Sequence, residues 1–128
     1  MGNVYNHLGN FDEARKNFNE ALRLSKVTFN LNAESYVLTK LGDFYFNLKD
    51  YDQSIDNYMK SLEITKLHSN TWGKIRNQQG IGNNFYLKKD YSDAIRFLKN
   101  SVQSAYTIND KEGLMNSYEL ISKVYQDC

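Results

Sequence analysis

The sequence predicts an all-α fold, an α-α superhelix of stacked antiparallel helical hairpins, and three observations support it. The chain matches itself at a shift of 40 residues, which indicates a repeat protein. Within each copy the apolar residues recur at steps of three and four, as on one buried helical face, and do not alternate as in a strand. Proline is absent from the 128 residues, so long helices can run uninterrupted.

Six columns define the repeat. A small column holds Gly2, Gly42, Gly82 and Ser122, and an aromatic column three places later holds Tyr5, Tyr45, Phe85 and Tyr125. The other four columns are Phe11/Tyr51/Tyr91, Ala14/Ser54/Ala94, Phe18/Tyr58/Leu98 and Leu22/Leu62/Val102. Glycine inside a helix costs about 1 kcal/mol relative to alanine. The glycines of the small column therefore predict places where helices approach closely.

Each helix is expected between polar start signals. The predicted helices are a truncated one at 2–8, then 11–28, 33–48, 51–67, 73–88, 91–107 and 112–126. The second helices of the hairpins begin after Asn10, Asp50 and Asp90, each followed three residues later by Glu13, Gln53 or Asp93, which is close to a capping box. The first helices are preceded by Asn30, Asn70 and Asp110, whose side chains can accept from open helix amides. We expect one domain, 1–128, with a partial repeat at 1–30, full repeats at 31–70 and 71–110, and a half repeat at 111–128.

Composition limits the partners. The net charge is +1 and the pI is about 7.8, so nothing attracts nucleic acid phosphates or an anionic membrane at long range. No stretch has the length of a membrane span, and the N-terminus lacks the pattern of a secretory signal. Cys128 is the last residue and the only cysteine, so an internal disulfide is excluded. The compartment stays open, with the cytoplasm favoured and the periplasm implied if the chain is part of a bacterial sensor.

Catalytic and cofactor motifs are missing. His7 and His68 have no cysteine, histidine or carboxylate at metal-ligand spacing. The Gly-x-Gly of QQGIGNN lies inside a predicted helix, where helix packing explains it better than a phosphate loop. We therefore expect no enzyme activity, no cofactor and no metal. Trp72 opens a first helix, and we expect it to pack between hairpins.

Two segments resemble the tetratricopeptide repeat, LTKLGDFYFNLKDYDQSIDNYMKSL and GIGNNFYLKKDYSDAIRFLKNSV. The usual period of that family is 34, and its common proline after the second helix is replaced here by Lys26, Lys66 and Tyr106. Six extra residues add about 9 Å of helix. Forty-residue units of this kind look like those of kinesin light chains, Pins-type scaffolds, and bacterial Rap-type regulators or sensor segments.

The resemblance implies a concave wall of first helices that binds a protein or peptide segment. In similar proteins the position after the small column faces the ligand, which places Asn3, Asp43, Asn83 and Lys123 on that wall. Helical spacing adds further inward positions. In the predicted peptide-binding set these are Asn6, Tyr36, Lys40, Asn47, Arg76, Gln79, Tyr86 and Asn116. The wall is rich in amides, which can hydrogen-bond an extended peptide backbone.

Two other roles remain open. The chain is also compatible with a sensory or regulatory segment of a larger bacterial signalling protein, in which the helices relay the arrival of a ligand. A third role is a structural oligomerisation module that self-associates through uncapped terminal helices, because a solenoid without polar caps exposes apolar faces.

Overall fold

A computed structural model describes the backbone of residues 3–128 and the side chains of residues 10–128. Over this part of the chain it consists of six α-helices and contains no strand. The helices are α1 (Asn3–Val27), α2 (Leu31–Asn47), α3 (Tyr51–Leu67), α4 (Thr71–Leu87), α5 (Tyr91–Thr107) and α6 (Lys111–Asp127). The predicted all-α class is confirmed, and from α2 onward each predicted helix boundary lies within two residues of the observed one.

The helices pack as a stack of hairpins. Each helix contacts the next one along the chain, and in addition α2 contacts α4 and α4 contacts α6. No such contact joins α1 to α3 or α3 to α5 among the described residues. The side formed by α2, α4 and α6 is therefore the tighter side of the stack, and we call it the inner wall.

One turn geometry recurs every 20 residues. The residue after each helical C-cap has a left-handed backbone, with φ between 54° and 67°, at Phe29, Lys49, Ser69, Lys89 and Asn109. The next residue both ends one helix and begins another. The Asp50 backbone N–H donates to the Tyr45 carbonyl at 2.9 Å, and the Asp50 side chain accepts from the Gln53 amide at 3.3 Å. The predicted caps Asn30, Asp50, Asn70, Asp90 and Asp110 are all confirmed in this way.

These turns also explain why no capping box forms. A capping box needs the N3 side chain to accept from the N-cap backbone N–H. At Asp50 and Asp90 that N–H is already bonded to the Tyr45 and Phe85 carbonyls of the preceding helix. The side chain of the cap residue can still accept from the backbone amide of the third residue. The backbone N–H of the cap, however, is no longer free to donate to the side chain of that third residue.

The prediction of two helices at the start of the chain is wrong. A single helix, α1, runs from Asn3 to Val27, and Asn10 lies inside it rather than at an N-cap. A separate helix at 2–8 would have to be nucleated for only one or two hydrogen-bonded turns, and nucleation is the costly step. Extending the existing helix instead adds one backbone hydrogen bond per residue fixed.

Two largely buried hydrogen-bond triads tie neighbouring hairpins together. In the first, Thr39 on α2, Ser61 on α3 and Asn77 on α4 bond one another at 2.8–2.9 Å. In the second, 40 residues later, Ser117 on α6 bonds Gln79 at 2.9 Å and Ser101 at 2.7 Å. Polar contacts between neighbouring hairpins thus recur with the 40-residue period, as the apolar contacts do. Satisfied buried networks of this kind fix the register of packed helices.

The small column lies where helices approach closely, as expected. A Cβ added at Gly42 would lie 2.6 Å from the Tyr58 ring, and one at Gly82 would lie 2.6 Å from Leu98 Cγ. Ser122, in the same column, is exposed. The column therefore needs glycine only where a following helix covers it.

Candidate binding groove

Three adjoining cavities line the inner wall. The central cavity, of about 410 Å³, lies between α2, α4 and α6, and the Trp72 cavity, of about 400 Å³, lies between α2 and α4. A smaller cavity of about 200 Å³, the Asn116 cavity, lies between α4 and α6. Arg76 lines all three. The three cavities thus adjoin at Arg76, and we refer to them together as the groove.

An ion pair crosses the groove between the first helices of two hairpins. The Arg76 guanidinium donates to the Asp43 carboxylate at 2.5 Å. Burial opposes the charge on Arg76, but Asp43 and the neighbouring Tyr58 outweigh that effect, so the pKa of Arg76 lies above its ordinary value. Only one guanidinium nitrogen is used by Asp43, which leaves further N–H groups of Arg76 for a ligand.

Tyr58 belongs to the outer helix α3, yet its hydroxyl reaches the groove. The ring lies in a slot between α2 and α4, where a Cβ at Gly42 or at Gly80 would come within 2.6–2.7 Å of it. The hydroxyl donates to Asp43, and Tyr58 lines the central cavity. Burial and the Asp43 carboxylate raise the pKa of Tyr58 well above its usual range. Tyr58 therefore remains a neutral donor that holds Asp43 in place.

Sequence reasoning assigned Tyr58 to the core column Phe18/Tyr58/Leu98 and did not predict its place in the groove. A signal was present in Gly80, the one glycine of α4 besides Gly73 and Gly82. Gly80 stands outside the small column, and the sequence indicated only that the Gly-x-Gly of QQGIGNN serves helix packing, without pointing to Tyr58 as the residue packed there. Its role is to let a tyrosine, rather than the shorter Leu98 of the next repeat, pass between two helices.

The predicted amides separate into engaged and free groups. Gln79 is engaged, because its amide donates to the Gly113 carbonyl at 3.2 Å and to Ser117. Asn47 and Asn83 both line the central cavity and make no hydrogen bond among the described side chains. These two amides are therefore available to a ligand, whereas Gln79 first serves the packing of α4 against α6.

The prediction that the Trp72 ring packs between hairpins is wrong. Its side chain is 63% exposed, and it lines the Trp72 and Asn116 cavities. The groove wall at this point also carries Tyr36 and Lys40, whose ammonium lies 5.4 Å from the centre of the Tyr36 ring. Both of these residues belong to the predicted binding set.

The remaining predicted residues are spread out. Asn116 is exposed and lines the Asn116 cavity. The Tyr86 hydroxyl donates to Asp127 and so links the ends of α4 and α6, beyond the three cavities. Lys123 is exposed on α6 and lines none of the three. Asn3 and Asn6 lie outside the residues whose side chains are described.

The described residues are also informative about metal binding and membrane insertion. They contain no cluster of three or more histidine, cysteine, aspartate or glutamate side chains that could hold a metal ion. None of the helices in this part of the chain combines the length and the apolar character that a membrane crossing requires.

Two family models match the sequence. Residues 33–107 match a model described as tetratricopeptide repeat, and residues 1–28 match a second model with the same description. The first match covers more than half of the 128 residues. No curated protein matches the chain.

Proposed function

Because the chain belongs to the tetratricopeptide-repeat family, we propose that it is a scaffold that binds an extended segment of another protein along the inner wall. Repeats of this family are generally protein-interaction modules, and stacked helical repeats form extended binding surfaces. The observation that carries the proposal is the pair of free amides, Asn47 and Asn83, in the central cavity. Each offers a donor and an acceptor, which is what an exposed peptide backbone needs.

The charges that line the central cavity favour a polypeptide ligand over a small charged one. Its two opposite charges, Asp43 and Arg76, already pair with each other, so a single strong counter-ion would gain little. The neighbouring cavities, which share Arg76 with the central one, suit a ligand that continues in both directions. We expect the backbone of the ligand to lie across Asn47 and Asn83.

A selection with a phage-displayed library of random peptides on the immobilised chain tests this function. We expect enriched peptides whose affinity falls about tenfold in the Asn47→Ala/Asn83→Ala variant, since two hydrogen bonds at about 0.7 kcal/mol each amount to a factor of ten. The matched control is Asn100→Ala/Gln103→Ala, two exposed amides on α5. If no peptide is enriched, or if both double variants bind alike, the inner wall is not the binding site.

We also propose self-association through the face of α6 that lies away from α5. Met115 and Tyr125 on this face are 58% and 55% exposed, although Ile75 and Phe85 at the equivalent positions of α4 are buried or half-buried. On α4 this face is covered by α5. By the repeat columns, α1 is the counterpart of α5, so α1 of a second copy could cover α6 head to tail. In a sensory or regulatory segment, the ligand would bind in the same groove of the inner wall.

Light scattering across a concentration series tests the association. We expect the apparent mass to rise with concentration and the Met115→Lys variant to remain a monomer, because the added charge would be desolvated in the contact. Met115 is well exposed on this face of α6 and makes no hydrogen bond through its side chain among the described residues. A monomer at the highest concentration would exclude this proposal and leave the peptide-binding function intact.

A further inference from the structure

We propose that the Trp72 cavity is an anchoring subsite for a partner segment in which a large apolar side chain stands next to an acidic residue. The inference rests on the proposed function, because it assigns a chemistry to the partner of the same groove. The cavity measures about 400 Å³, and ligand sites typically measure about 300–1,000 Å³. It lies between α2 and α4, beside the central cavity.

The apolar part of the argument rests on two exposed rings. Tyr36 and Trp72 each leave 63% of their surface exposed, and both line the cavity. Aromatic rings of this size bury large areas and often supply the main anchors of protein interfaces. A large apolar side chain placed between them would remove this surface from water.

The repeat shows that stacking of hairpins does not require these rings. The positions equivalent to Trp72 hold Asn32 and Glu112, and the position equivalent to Tyr36 on α6 holds Asn116. Each is a polar residue on a first helix in the same solenoid. The aromatic pair is thus particular to one place in the groove, and neither ring serves the core.

The argument for an acidic residue in the partner segment rests on the charges that line the cavity. Lys40 lines the cavity and makes no salt bridge among the described residues, whereas Arg76 is paired with Asp43. The cavity therefore carries one uncompensated positive charge. A carboxylate beside the apolar side chain would meet Lys40, and the gain would be sensitive to salt.

A cationic ligand fits less well, although aromatic pairs often bind cations. The Lys40 ammonium already stands 5.4 Å from the centre of the Tyr36 ring, and Arg76 lines the same cavity. A lysine or arginine of the partner would face both positive charges. This repulsion selects against basic segments.

Trp72 is the only tryptophan of the chain, so its fluorescence reports directly on the cavity. The probes are blocked glycine-serine peptides that carry an aspartate-leucine, a lysine-leucine or an aspartate-alanine pair, and a polyuridine oligonucleotide. We expect the aspartate-leucine peptide to shift the Trp72 emission to the blue, to shield it from acrylamide, and to bind about tenfold tighter than the other two peptides, as for one anchor contact. Equal affinities would overturn the inference. Stronger binding of polyuridine would overturn it too, and would assign the cavity to nucleic acid.

Charge reversal gives the sharper test. Lys40→Glu should invert the preference, so that the lysine-leucine peptide binds better than the aspartate-leucine peptide. Lys16→Glu makes the same change of net charge on exposed α1, away from the cavity, and should leave the preference unchanged. Because unfolding cannot invert a preference, an inversion supports the subsite whatever the variant does to stability. An unchanged preference in Lys40→Glu would overturn it.

The subsite and the proposed function can fail separately. Peptides enriched by phage display are measured with fluorescein labels against Trp72→Ala and against Asn47→Ala/Asn83→Ala. If only the double variant weakens binding, the anchor is wrong and the scaffold function stands. If Trp72→Ala weakens binding at least about tenfold, as expected for an interface anchor, and the enriched peptides carry adjacent acidic and large apolar residues, the subsite is supported.

Discussion

Five residues with positive φ close the turns between the six described helices, and none of them is glycine. A left-handed backbone costs an L-residue roughly 1–2 kcal/mol, and glycine is the usual choice at this position of a helix end. The turns persist because the neighbouring cap residues bond to both adjoining helices. Strain at single residues is thus offset by hydrogen bonds at the next residue.

Replacing Lys89 with glycine should stabilise the protein. Lys89 has φ of 67° and is exposed, so we expect Lys89→Gly to raise the free energy of unfolding by about 1 kcal/mol through relief of the left-handed strain. Urea denaturation followed by circular dichroism measures this change. Asn109→Gly is the matched control and should gain less, because asparagine tolerates this conformation. A loss of stability in Lys89→Gly would contradict the prediction.

Tyr58→Phe should show how the buried hydroxyl responds to pH. At neutral pH the variant loses the hydrogen bond to the Asp43 carboxylate, at a cost of about 1.5–3 kcal/mol. The pKa of Tyr58 is raised in the folded protein, so its contribution is complete below the unfolded value of about 10 and declines as the pH rises above it. The difference in unfolding free energy between wild type and variant should be constant from about pH 7 to 9 and shrink above about 10. A constant difference throughout would count against this assignment.

At the scale of elements, equivalent helix contacts use different chemistry. Between α3 and α4 the Asn84 amide donates to Ser54 Oγ and to the Gly80 carbonyl, both at 2.9 Å, while Asn84 Oδ1 is buried with no partner. Between α5 and α6 the same two positions hold Ala94 and Val124, both fully buried. The second contact shows that the geometry accepts an apolar pair.

Placing alanine and valine at positions 54 and 84, as at the equivalent positions of the α5–α6 contact, should therefore be tolerated. We expect Ser54→Ala/Asn84→Val to leave stability unchanged or to raise it by about 1 kcal/mol, because the unpaired oxygen disappears. Ser54→Ala alone should cost about 1–2 kcal/mol, since it deprives Asn84 of a partner. Thermal and urea unfolding of the three proteins decide the order. A double variant less stable than the single one would contradict the argument.

Packing at the small column gives a second element-scale prediction. A Cβ at Gly82 would lie 2.6 Å from Leu98 Cγ and 3.3 Å from the Ala94 carbonyl oxygen. Gly82→Leu should therefore destabilise the fold by roughly 1–3 kcal/mol. Ser122→Leu, at the exposed position of the same column, should change stability by less than about 0.5 kcal/mol. An unchanged melting temperature in Gly82→Leu would refute the close contact.

At the scale of the whole molecule, α4 joins the parts. It contributes Asn77 to one buried triad and Gln79 to the other, and it contacts α2, α3, α5 and α6. The buried residues include as many polar side chains as apolar ones. Hydrogen-bonded networks, together with apolar burial, therefore hold the hairpins in register.

This central role predicts one cooperative transition. Trp72 fluorescence, which reports on α4, and circular dichroism, which reports on all helices, should give coincident urea unfolding curves, because neither triad can break without disturbing α4. Helical signal that persists after the fluorescence transition would show that the hairpins unfold independently.

The sequence by itself determined the class and, from α2 onward, the helices and their caps. The spacing of columns such as Gly42/Gly82 and the short polar side chains at Asp50 and Asp90 act through contacts within one repeat or one turn, and such contacts are encoded locally. The resemblance to tetratricopeptide repeats implied an inward position for Asp43 and Asn83, and helical spacing added Asn47, Arg76 and Gln79. The structure brings these five side chains to the central cavity.

Only the tertiary structure decided which of these side chains are free and which outer residues reach the groove. Gln79 is engaged by α6, Tyr58 passes between Gly42 and Gly80, and Trp72 remains exposed beside Tyr36. Each outcome depends on a neighbour about 20 to 40 residues away and on the distance between two helix backbones. A column of residue types records that a position faces inward, but the distance to the next helix decides whether its side chain is buried, bonded or open to a partner.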